Sequence, residues 1–89
     1  MGKKTILFES EEYRSISSVA AFLRELADKL EQGEVVLRQG EKEITVSIPQ
    51  NVELEIEVQE KPKRGKTQQE LEIELEWIKG EEGGPVTLG

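Results

Sequence analysis

Residues 52–59 read VELEIEVQ and residues 70–77 read ELEIELEW. In the first, Val52, Leu54, Ile56 and Val58 interleave with Glu53, Glu55, Glu57 and Gln59. In the second, Leu71, Ile73, Leu75 and Trp77 interleave with Glu70, Glu72, Glu74 and Glu76. Successive side chains of a strand point to opposite faces, so a period of two sorts every aliphatic to one face and every glutamate to the other. Both stretches are therefore predicted strands, and pairing them gathers seven glutamates on one solvated face. Between them, residues 61–69 (KPKRGKTQQ) carry Pro62, Gly65 and the cations Lys61, Lys63, Arg64 and Lys66. That composition reads as a long, irregular, basic loop.

Upstream, Val19, Phe22, Leu23, Leu26, Ala27 and Leu30 recur with the 3.6-residue period of one apolar helical stripe. The spacing predicts a helix over residues 16–32, with Ser15 as N-cap and Ser17 as the alternative, and Gly33 at the C′ position that tolerates positive φ. Residues 34–39 (EVVLRQ) and 42–48 (KEITVSI) alternate as strands about Gly40-Glu41, a two-residue hairpin signal of the type II′ kind. Residues 3–9 (KKTILFE) read as a further short strand. After Lys79 no period survives, and residues 80–89, with four Gly and one Pro, read as a disordered tail. The expected fold is α+β: a β-α-β-β-β-β two-layer sandwich over residues 1–79, with a mainly antiparallel sheet. One amphipathic helix covers one face of that sheet, and the other face is open and acidic. Phe22, Leu26, Leu54, Ile56, Ile73 and Leu75 are the expected core.

Composition narrows function by exclusion. The 89 residues contain neither Cys nor His, so the usual zinc, iron–sulfur and haem ligand sets are missing, as are a His general base and a disulfide framework. Neither a resident metal nor a cofactor is expected. No apolar run approaches the roughly 18–20 residues of a membrane span, and Lys3-Lys4 precede no apolar run of a secretory signal. With 12 basic against 19 acidic residues the net charge is −7. A cytoplasmic, non-enzymatic protein is the expectation.

The strand ending in Trp77 resembles the amphipathic strand for which the amphi-Trp domain family is named. The likeness extends to LFESE (residues 7–11), VAAFLRELADKLEQGEVVLRQG (19–40) and VELEIEVQEKPKRG (52–65), in the same order, and spans residues 4–78. The resemblance implies a small prokaryotic domain with no assigned biochemical activity, and it carries no catalytic residue onto this chain.

Two surfaces stand out. Glu53, Glu55, Glu57, Glu70, Glu72, Glu74 and Glu76, joined by Glu43, form an acidic face. Its plainest role is a solvated surface that discourages edge-to-edge aggregation. Its sharper role is docking a basic protein partner or loosely holding a divalent cation, and a second copy of the chain is a further possible partner. A flat exposed face offers paired carboxylates no cleft for acid–base work. The basic stretch Lys61, Lys63, Arg64 and Lys66 supports the alternative, a nucleic-acid accessory that contacts phosphates. It has no aromatic neighbour for base stacking. Gly65-Lys66-Thr67 echoes a phosphate-binding loop, but Glu60 stands where that motif needs Gly, and a strand follows where it needs a helix.

Overall fold

A computed structural model describes residues 2–80 and residue 88. The chain divides into two compact units, Met1–Ile48 and Pro49–Gly89. The fold is α+β with every strand pairing antiparallel: α1 (Ile16–Gln32), β1 (Glu34–Gln39), β2 (Lys42–Ser47), β3 (Glu53–Lys63) and β4 (Lys66–Glu76).

The first unit is a helix laid on a hairpin. Ser15 sits in extended geometry and its side chain accepts a hydrogen bond from the Ser18 N–H at 3.1 Å, satisfying one of the free donors at the helix start. Arg14 reinforces this end: its guanidinium donates to Ser18 Oγ at 2.7 Å and lies 5.7 Å from the Phe22 ring centroid. At the other end Gly33 adopts φ 83°, and its N–H caps the last turn through Leu30 O at 3.0 Å. The Gly33 carbonyl then accepts from the Ile48 N–H at 2.9 Å, so one residue closes the helix and holds the end of the first hairpin. Gly40-Glu41 is the two-residue turn between β1 and β2; φ is positive at Gly40 (59°) and not at Glu41, as a type II′ turn requires. Val35 is opposite Val46, and Leu37 opposite Ile44. Their shared face meets α1, which packs on β1. Val35, 7% exposed, is the one buried apolar residue among those described.

The second unit is a hairpin of two 11-residue strands. Its turn is Arg64-Gly65, with φ of 52° and 75°, the paired positive values of a type I′ turn. The expected nine-residue loop is thus mostly strand. Its residues are exposed apart from half-buried Gln68, so backbone pairing can continue to the tip with little side chain to bury. Pro62 is accommodated by the register. Lys63 and Lys66 flank a two-residue turn and form a hydrogen-bonded pair; alternation makes Pro62–Thr67 a non-bonded pair that asks Pro62 for no N–H.

Three further expectations are corrected. Residues 3–9 form no strand: Ile6 and Leu7 are exposed and Phe8 is half-buried. With two apolar residues on one face (Ile6, Phe8) and one on the other (Leu7), this stretch has little to gain from either pairing face. The strands form two two-stranded sheets, β1-β2 and β3-β4, where a single mainly antiparallel sheet is expected. The expected core is also more open than its pattern implied. Leu26 and Leu75 are half-buried, while Phe22, Leu54, Ile56 and Ile73 are exposed. The expected tail, residues 80–89, lies outside the described residues except for Gly80 and Leu88.

Two substitutions check this construction by urea unfolding. Val35→Ala removes buried carbon at the centre of the first unit and is expected to cost about 1.5–2 kcal/mol. Arg64→Asn puts a residue that tolerates positive φ at the first turn position and is expected to stabilise the hairpin by roughly 0.5–1 kcal/mol. Loss of stability in the second variant would mean that Arg64 does more than make the turn.

Candidate functional site

The register of β3 on β4 builds the acidic face residue by residue. Glu53 is opposite Glu76, Glu55 opposite Glu74, and Glu57 opposite Glu72. Counting from the turn, these are the hydrogen-bonded pairs, whose Cα atoms stand about 5.5 Å apart. The aliphatic pairs Leu54–Leu75, Ile56–Ile73 and Val58–Leu71 fall at the alternating positions, where the separation is about 4.5 Å and side chains approach more closely. The geometry thus gives the like charges the wider spacing and the aliphatic pairs the narrower one. Directly opposed like charges still weaken a strand pair.

The face has two zones. Continuing toward the turn, Gln59 is opposite Glu70, Lys61 opposite Gln68, and Lys63 opposite Lys66. By parity these residues share the glutamate face. All seven sequence-predicted glutamates are therefore brought onto one surface, and three of the four loop cations join them at its tip, with Arg64 in the turn itself. Lys61 Nζ lies 3.8 Å from Glu70 Oε1, a diagonal ion pair where the zones meet. Gln59 Nε2 donates to Glu57 Oε1 at 2.6 Å and steadies the neighbouring carboxylate. The two-zone layout and the role of Gln59 were hidden by reading residues 61–69 as a loop. The unbroken parity from Glu57 to Lys63 was the available signal. Glu43 lies on β2 in the first unit, opposite Arg38, whose Nε donates to Glu43 Oε2 at 2.7 Å. Trp77, just past β4, is half-buried.

This crowding acts on Glu55. The Glu55 pKa is raised above the usual carboxylate value, first by a side-chain hydrogen bond shared with Glu74, then by the charges of Glu74 and Glu76. Carboxylate oxygens of Glu55, Glu74 and Glu76 all lie within 4.8 Å of one another. Three oxygens on an open surface supply under half of the six to eight ligands that Ca²⁺ takes, so water would complete any such shell. Gly65-Lys66-Thr67 occupies a turn and the start of β4, with no helix N-terminus to meet a phosphate. In the first unit a surface depression of about 680 Å³ is lined by residues 6–9 and 41–43, which include no nucleophile paired with a base.

The raised Glu55 pKa has a definite sign in stability. A carboxyl that binds its proton more tightly folded than unfolded favours the fold below its unfolded pKa. That contribution is lost as pH rises through the folded value. The melting temperature is therefore expected to rise as pH is lowered from about 7 toward the upper end of the carboxylate range. Glu55→Gln should raise it at neutral pH and flatten the dependence. An unchanged profile in the variant would show that Glu55 and Glu74 do not share a proton.

Among the described residues no helix is long and apolar enough to cross a membrane. No curated protein and no solved structure matches the chain. The family model of the Amphi-Trp domain does, over residues 1–88. With the alternating strand β4, which leads into Trp77, in place beside its partner, the chain belongs to the Amphi-Trp domain family.

Proposed function

We propose that the chain is a small non-catalytic binding module that receives a basic protein segment on the acidic face of β3–β4. One observation carries this reading: three glutamate pairs stand directly opposite one another with no cation between them, while the tip cations Lys61, Lys63 and Lys66 lie at the far end of the same face. Opposed like charges cost stability, and a cationic segment laid along the strands relieves that cost. A free chain destabilised by its own charge is one that gains on binding. The Lys61 zone supplies direction, because a partner with an acidic residue beyond its basic run would match both zones in one orientation. A cysteine-free chain of charge −7 suits the reducing cytoplasm, where we expect it to act.

The gathering of four cations at the hairpin tip favours a second reading, contact with phosphates of a nucleic acid. Both readings are separable by titration. An oligo-arginine peptide is expected to shift the backbone amides of Glu53, Glu55, Glu72 and Glu74, to raise the melting temperature beyond the effect of matched NaCl, and to weaken with salt. The Glu55→Lys/Glu74→Lys variant should lose this binding. Equal effects of peptide and matched NaCl, without localised shifts, overturn the docking reading in favour of a plain solvated surface. The phosphate reading requires a mobility shift with single-stranded DNA at about 50 mM salt, where phosphate contacts are strongest, and falls without one.

A further inference from the structure

We draw no further inference here: the strongest candidate, the aliphatic surface patch that Leu54, Ile56, Val58, Leu71 and Ile73 form on the β3–β4 hairpin, carries nothing because nothing in the structure shows what covers it.

Discussion

The two-residue turn at Arg64-Gly65 is the constraint on which the second unit depends. Its two positive φ values fix Lys63 opposite Lys66, and from that first pair every later pairing follows by simple counting. A slip of one residue would exchange the faces, moving Leu54, Ile56 and Val58 to where Glu53, Glu55 and Glu57 now stand. The turn therefore decides which carboxylates meet. It also decides that aliphatic pairs occupy the narrow sites of the ladder and glutamate pairs the wide ones. Gly65 supplies one positive φ without steric cost, and Arg64 adopts the other despite its Cβ.

In the first unit Gly33 has the corresponding position. Its left-handed backbone ends α1, and its carbonyl receives the Ile48 N–H. The helix end, the start of β1 and the end of the β2 segment thus meet at one residue. Val35 lies two positions further on, at the centre of what the helix covers. Arg38 and Glu43 tie the hairpin across its outer surface near the turn. At that exposure such a pair contributes little to stability, typically no more than about 1 kcal/mol.

Much of this was legible in the sequence, and the exceptions have a common cause. The helix bounds, the Ser15 cap, the Gly33 terminus and the Gly40-Glu41 turn are all local signals, each carried by residues within one turn of one another. The facing of the seven glutamates was equally legible, because parity needs only neighbours in sequence. Three readings required knowledge of what lies alongside. The 3–9 stretch has strand-like alternation but no pairing partner among the described residues. The four strands alternate alike whether they join one sheet or two. In residues 61–69, Pro62 and the cations resemble a loop until the type I′ turn is recognised at Arg64-Gly65; the ladder then runs through Pro62 because that position owes no N–H. The candidate site suffered from the same omission. Its glutamates were placed correctly, but the cations that share their face were assigned to a loop beyond it.

Both hairpins close through two-residue turns, so every strand pairing links residues near one another in sequence. Such local topologies fold quickly, and a hairpin forms within about 1–10 microseconds. Closure of the second hairpin starts at its turn and travels outward, and the order of events is set by the order of pairs. Lys63–Lys66 comes first, then Lys61–Gln68 and Gln59–Glu70, and only afterwards the three glutamate pairs, ending with Glu53–Glu76. The glutamate pairs are thus added last, onto a ladder already in register, and they are the first to open. Amide exchange at the hydrogen-bonded pairs should accordingly be graded along the hairpin, fastest at the open end where the carboxylates crowd and slower toward Gln59–Glu70 and Lys61–Gln68.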